Sequence, residues 1–471
     1  MYPAASAVLI GALSIGTVIG YPSMAISSMV ADAQPMPGST ISHAMRDSDN
    51  VAWFNSLMAL AALPGAFLAG LLSNSLGRRL TLITAAVPFA LGWLLIAFAT
   101  TTAQLFLGRI LSGFGTGMTC VAGPVYIVDI SSSEIRGLLG GLFGGIISAG
   151  ILFCGVFGGL FLEWRSLAVL NAALPTLAAG ILVFMPASPK LLVSKGRLDE
   201  AIEAINRLHG GRVDARLELL MMKGQSEHHR SLSLRDLLSK STLKASGIAI
   251  CLMLFQSFSG MNAVIMYTVP ILRTSAPTVN PIYCTIMLQA VQVAVNMAAS
   301  SVTNRFGRRS PLIFSALAMC FSLAGLGCCQ YVGAERSGSL PVAFCLGAVI
   351  GYAIGFGPLP WLVVAEVAPT RVSGLVSALA TSTNWASFFI LIRTFDSLVN
   401  ALSSHTVFWI YASWCFVAFL FSAFCLPETA HKSHHEIEMI LEGKASSGGG
   451  DVECGGMHDI PKKLLHRIDR A

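Results

Sequence analysis

The stretch Asn74-Ser75-Leu76-Gly77-Arg78-Arg79 returns 230 residues later as Asn304-Arg305-Phe306-Gly307-Arg308-Arg309. Each copy falls at the junction of two long runs free of Asp and Glu and nearly free of Lys and Arg. Followed outward over all 471 residues, runs without charged residues number twelve: 1–31, 51–77, 80–108, 110–128, 137–162, 166–188, 245–272, 274–304, 310–334, 337–365, 372–392 and 397–426. The shortest holds 19 residues. A helix rising ~1.5 Å per residue needs about 20 residues to cross a hydrocarbon layer of ~30 Å. Barrel strands would instead alternate over segments of about 10 residues. The chain therefore reads as an all-α membrane protein with twelve transmembrane helices. Both Gly-Arg-Arg motifs join the second and third spans of a set of six. A second landmark agrees: Asp129 in span four and Glu366 in span ten each precede a glycine, Gly137 and Gly374, by eight residues. The reading is two parallel six-helix halves, 1–188 and 245–426, joined by the segment 189–244 and followed by a polar tail, 427–471.

Composition excludes most alternatives. Charged residues make up 11% and hydrophobic residues 54%, where soluble domains carry roughly 25% charge. Mean hydropathy is +0.70. A soluble enzyme, a disordered regulator or a disulfide scaffold is not built this way. The eleven cysteines are odd in number and lie mostly in apolar runs, as small buried apolar residues do. No nucleophile–base pair or metal constellation stands out, so neither enzyme chemistry nor a cofactor is expected. The net charge of +6 reflects orientation rather than nucleic-acid binding. Alternate connections carry Arg78 and Arg79, then Arg136, then eleven basic against seven acidic residues in 189–244, then Arg305, Arg308 and Arg309, then Arg371. The connection 32–49 has one Arg against three Asp. The positive-inside rule then places both termini and the central segment in the cytoplasm. Within that segment Leu198–Leu208 is amphipathic and reads as a short surface helix, while Ser446–Gly450 reads as linker.

Uncharged polar residues inside the spans point to the solute. Gln256, Ser259 and Asn262 follow one another by single turns on span seven, and Gln289, Gln292 and Asn296 make one stripe on span eight. Trp361 follows Pro358-Leu359-Pro360 in span ten, where the backbone must bend, and Asn384 lies in span eleven. Amides donate and accept at once, and an aromatic ring covers an apolar ring face. That set suits a hydroxylated, uncharged solute such as a sugar. Intramembrane amides also glue helices together, so for single residues both roles stay open.

Taken with these motifs, the chain resembles the sugar porters of the major facilitator superfamily from about Gly11 to Thr429. The likeness is carried by Gly77-Arg78-Arg79, Gly108-Arg109, Pro124-Val125-Tyr126, Glu134-Ile135-Arg136-Gly137 and Ser188-Pro189-Lys190. It continues through Gln256, Ser259-Gly260-Met261-Asn262, Gly307-Arg308-Arg309, Gly357-Pro358-Leu359-Pro360-Trp361, Asn384-Trp385 and Pro427-Glu428-Thr429. Phe255–Tyr267 and Arg393-Thr394-Phe395 look most like the insect facilitated trehalose-type branch and its glucose-transporter relatives. The resemblance implies sugar contacts at Gln256, Asn262, Gln292, Trp361 and Asn384, with Ser259, Asn296 and Tyr267 as secondary candidates. It also implies a cytoplasmic gate of Arg78, Arg79, Arg109, Asp129, Glu134, Arg136, Arg308, Arg309 and Glu366, whose charges pair when the inner ends of the halves meet.

Departures from the family pattern are specific. Ser257 replaces a second amide, Gly144 a span-five Gln and Ala353 a polar residue of span ten. Asn74 and Asn304 replace acidic residues, Ser373 an Arg and Ala187 a Glu, while Asp129 is one methylene shorter than the usual Glu. Fewer donors and more room leave a hexose, a disaccharide or a broader site open. A weakened inner lock implies a carrier that rests inward-facing. Proton-coupled relatives carry Asp after Gly-Tyr in span one; here Gly20-Tyr21 precedes Pro22, so facilitated diffusion is expected. Arg393 and Asp396, three residues apart, are expected to pair with each other. The expected protein is a monomeric sugar carrier, most simply of the plasma membrane; a sugar receptor with little turnover or a porter of another small polar solute are the alternatives.

Overall fold

A computed structural model describes residues 2–31, 39–131, 133–209, 219, 239–333, 338–369, 372–430, 432 and 434–442. The first half contains α1 (Tyr2–Val30), the short α2 (Ile41–Ala44), α3 (Ser48–Ser75), α4 (Arg78–Ala97), α5 (Thr102–Ile130), α6 (Ser133–Leu160) and α7 (Trp164–Val183). Then come α8 (Pro189–Ser194) and α9 (Leu198–His209), the latter on the amphipathic stretch. The second half runs α10 (Lys240–Phe258), α11 (Met261–Met266), α12 (Thr268–Ser275), α13 (Pro281–Phe306), α14 (Arg309–Val332), α15 (Leu340–Ile354), α16 (Leu359–Val367), α17 (Ser373–Leu402) and α18 (Ser404–Phe424), and α19 (His434–Glu442) follows. Twelve spans among the described residues are long and apolar enough to cross a membrane.

Local chemistry sets several helix ends. Thr101 and Gln104 close a capping box at the start of α5, and Asn280 caps α13 ahead of Pro281. Within the first half, α5 packs against α3 and α4, and α1 against α6. The α3–α5 contact is close because Gly113 and Gly117 lie against the backbone of Met58 and Ala62, where any Cβ would collide. Large apolar side chains such as Phe67, Phe321 and Phe424 stay exposed around the perimeter, as a bilayer solvent allows. The halves meet along two seams, α3 against α17 and α6 against α13, and α1 touches α11 and α12.

Span seven, expected as one helix, is three pieces. The first break is at Gly260, whose φ of +80° is left-handed, and a Cβ there would run into the Tyr411 ring. Span ten breaks at Gly355–Pro358 between α15 and α16. Gly260→Ala should therefore lose about 1–3 kcal/mol, read as a lower unfolding temperature in detergent. Gly247→Ala in α10, where a Cβ meets nothing within 4 Å, should be neutral or stabilising; equal effects from the two would defeat the assignment.

Candidate functional site

The two breaks face each other across one side chain. In span ten Pro360 has no N–H to give the Phe356 carbonyl four residues earlier. Gln256 supplies the donor instead: its Nε2 reaches Phe356 O and Gly357 O, both at 2.8 Å. Its Oε1 accepts from Asn384 Nδ2 at 2.8 Å, and that amide also approaches Ser257 Oγ at 3.3 Å. Ser259 Oγ turns back to Gln256 O at 2.8 Å. Spans seven, ten and eleven are thus tied at mid-membrane by neutral groups. Two further amides make no hydrogen bond to a described residue, the half-buried Asn262 on span seven and the buried Gln292 on span eight. Trp361 sits just past the span-ten break and is 40% exposed. A Cβ on Gly144 of span five would meet nothing within 4 Å, so that position is open.

Other candidates are placed differently. Asn296 spends its Nδ2 on Ser148 Oγ of the other half at 2.6 Å, a bond between halves. Gln289, buried against Gly155, has neither amide atom paired. Tyr267 stands at the far side of span seven, its hydroxyl donating to Asp396 Oδ2 at 3.0 Å. An apolar groove of about 710 Å³ between α4 and α7 contains none of these amides.

At the Gly-Arg-Arg end, charged residues form ion pairs inside each half. Asp129 takes Arg78 at 3.4 Å, Lys190 at 3.5 Å and the Ser188 hydroxyl at 2.7 Å. Glu366 takes Arg308 at 3.0 Å and the Thr429 hydroxyl at 2.6 Å. The second arginine of each motif caps a helix: Arg79 donates to Leu182 O and Val183 O at 2.8 and 2.6 Å, and Arg309 to Ser422 O and Ala423 O. Side chains of Glu134 and Arg136 lie outside the described residues, as do those of Asn74 and Asn304. Arg109 is not at this end at all. It precedes Asp129 by twenty residues on α5, ~30 Å along a helix. It is fully buried, donating to Phe54 O at 2.9 Å and Val18 O at 3.0 Å.

Among the described residues, the ion pair that joins the halves is at the opposite end. Arg393 Nη2 meets Asp49 Oδ1 at 2.6 Å and lies 4.7 Å over the Trp53 ring. The expected Arg393–Asp396 pair gives way to this one because α3 packs on α17 and brings Asp49 within reach. The pair is not legible in sequence because Asp49 and Arg393 are 344 residues apart and only the packed α3–α17 seam brings them together.

A bundle of twelve candidate membrane helices in two similarly wired halves, with a neutral polar knot tying spans seven, ten and eleven, is the fold of a multi-pass membrane protein. The "Sugar (and other) transporter" family matches residues 7–441, and the chain belongs to it. It is 36% identical over 94% of its length to the facilitated trehalose transporters Tret1 of Aedes aegypti and Culex quinquefasciatus, spanning 55% and 86% of those relatives. The inward open xylose transporter XylE of E. coli shares the fold, with a TM-score of 0.77 at 21% identity over 93% of this chain and 98% of that one.

One asymmetry between the halves is testable. Glu428 accepts the N–H groups of Arg308 and Arg309 at 2.9 and 3.1 Å, covering the start of α14. Ala187, at the matching Pro-x-Ser/Thr position of the first half, leaves α4 without such a cap. Ala187→Glu should stabilise by about 0.5–2 kcal/mol, measured as a raised unfolding temperature; no rise would refute the pairing of positions. Burial pushes the Glu428 carboxyl up, but four backbone N–H donors, of Ala430, Arg308, Arg309 and Thr429, outweigh it and hold the group below its ordinary value of 4.5. A depressed carboxylate stabilises fully above its ordinary value and ceases to as pH falls through the lower folded one. Unfolding temperature should fall below about pH 4.5, and Glu428→Gln should flatten that slope.

Proposed function

We propose that the chain is a facilitative carrier of a sugar, a hexose or a trehalose-like disaccharide, working by alternating access. One observation carries the reading: a buried, uncharged amide knot at Gln256 and Asn384, flanked by the unpaired amides of Asn262 and Gln292. Neutral donors and acceptors can replace the water shell of hydroxyl groups without the cost of burying a charge. Trp361 offers a ring face and Gly144 offers room. In the second half the halves of Gln256 that now serve helix carbonyls would exchange onto substrate as span ten moves. The family and the facilitated trehalose transporters named above support the substrate class. Pro22, where proton-coupled relatives carry Asp, supports uniport.

On this reading the Gly-Arg-Arg end is cytoplasmic, with both termini and the 189–244 segment on that side. The gate acts within each half: Arg78–Asp129 and Arg308–Glu366 brace the inner helix ends, while the Arg393–Asp49 contact closes the outer end. The inward-facing rest state expected from the thinned inner charges fits this arrangement. The protein works as a monomer, in the plasma membrane.

Uptake of radiolabelled glucose, fructose and trehalose into proteoliposomes, with and without a pH gradient, tests the proposal. Uptake should saturate and ignore the gradient. Gln256→Ala and Asn262→Ala should each reduce it by roughly tenfold, as loss of a buried hydrogen bond to substrate does. Binding without saturable flux would make the protein a receptor, and gradient dependence would end the uniport assignment.

A further inference from the structure

Spans seven and eleven are bridged twice. The first bridge is the Gln256–Asn384 amide pair. The second, Tyr267–Asp396, lies eleven and twelve residues further along the same two spans, ~18 Å towards the far end. It is chemically unlike the first. Asp396 is a carboxylate within the helix α17; Arg393 turns to Asp49, and the carboxylate accepts from one phenol. Its Oδ1 accepts no hydrogen bond among the described residues. The Tyr267 ring stacks on Phe395 with centroids 4.7 Å apart, giving an apolar plate beside the carboxylate.

The third member comes from the other half. Asn55 on α3 is 0% exposed. Its amide lies beside the Tyr267 hydroxyl but completes no hydrogen bond, so both its oxygen and its nitrogen are buried and unpaired. A buried amide with no partner is costly, and native structures keep few of them without a reason. Gln256 and Asn384 account for their amide atoms through helix carbonyls and each other; Asn55, like Gln289, does not, and of the two only Asn55 lies beside the Tyr267–Asp396 pair.

We propose that Asp396, Tyr267 and Asn55 form a second hydroxyl-binding subsite, on the outer side of the amide site, that holds the distal ring of a two-ring sugar. The proposal rests on the sugar-carrier reading. Sugar hydroxyls donate well to a carboxylate, and O–H···O⁻ bonds are the stronger, charge-assisted kind. The Asn55 amide can donate to one ring hydroxyl and accept from another. The empty subsite is capped by the Tyr267 hydroxyl, which a sugar hydroxyl would replace on Asp396. Length sets the specificity. Asn262 precedes Tyr267 by five residues, ~8 Å along the span, so a solute held at Asn262 and Gln292 needs a second ring to touch Asp396. A hexose reaches one set of groups or the other, and a disaccharide reaches both at once. Because Asn55 belongs to the first half and Asp396 to the second, the subsite is whole only while the α3–α17 seam is closed around the solute.

The test compares zero-trans uptake and equilibrium binding of glucose and trehalose for wild type, Asp396→Ala, Asp396→Asn and Asn55→Ala in proteoliposomes. Asp396→Ala and Asn55→Ala should each raise the KM and Kd for trehalose by roughly 10–100-fold, the range for a lost charge-assisted or buried hydrogen bond. Glucose values should stay within about twofold, and Asp396→Asn, which keeps the shape and one acceptor, should fall between. The unchanged glucose uptake also shows that each variant is folded. Equal losses for both sugars would make the cluster a closing contact and overturn the proposal. So would trehalose values unmoved by either substitution, wild-type uptake of glucose alone, or an Asp396→Asn defect that appears only under a pH gradient. The carrier reading fails on a separate arm: it falls if wild type moves neither sugar, or if Gln256→Ala leaves glucose uptake intact.

Discussion

A hydrocarbon solvent allows no backbone carbonyl to go unpaired, and Pro360 of span ten leaves the Phe356 carbonyl without its helical donor. Gln256 resolves that constraint, giving both hydrogens of its amide to Phe356 and Gly357 and its oxygen to Asn384. The centre of the protein follows from this one side chain. It fixes the depth at which spans seven, ten and eleven approach, and it leaves α16 as a short separate helix that can tilt. It also concentrates amides where a hydroxylated solute would have to replace them. On the function proposed above, structural glue and binding site would be the same atoms used in different states.

The repeat shows which parts of the wiring are general. In each half the first arginine of the motif meets a carboxylate at the end of the fourth span, and a Ser or Thr hydroxyl from after the sixth span shares that carboxylate. The second arginine closes the carbonyls at the end of the sixth span. This ties the second-to-third and sixth-span ends of each half into one rigid corner. The halves differ where Glu428 caps α14 and Ala187 cannot cap α4. The second half is the better braced at this end, so motion there falls more easily on the first.

Span number, the two halves and the amide cluster were legible in the residues, because long charge-free runs, a repeated motif and polar residues in apolar surroundings are each local signals. Three-dimensional partners were not. Arg109 was grouped with the Gly-Arg-Arg arginines by type, although its place early in span four already put it at the other end; its neutral carbonyl partners on α1 and α3 could not be read from sequence. Arg393 and Asp396 together interrupt the charge-free runs at the outer end of span eleven. A charge three residues away from another invited pairing within the helix, and the geometry of the α3–α17 seam overrode it. Asn55 gave no signal at all, as an Asn in an apolar span is read equally well as packing. Asn296 was legible as polar but not as a bond to Ser148.

The closing contacts differ in strength in a way that suits a carrier. The Arg393–Asp49 pair is solvent-exposed on the Asp49 side, 58% for that side chain, so it contributes on the order of 0.2–1 kcal/mol. The cation–π contact with Trp53 adds about 0.5–1 kcal/mol at such a site. Together they are worth about one to three multiples of thermal energy. A stronger lock would trap one state, since each ~1.4 kcal/mol shifts a two-state ratio tenfold. A seam held by weak charges at its rim, with its polar groups at depth matched to the solute, can open without substrate rarely and with substrate often. The alternating access proposed above requires that energetic balance, and on that proposal the residues at the rim and the knot would supply its two sides.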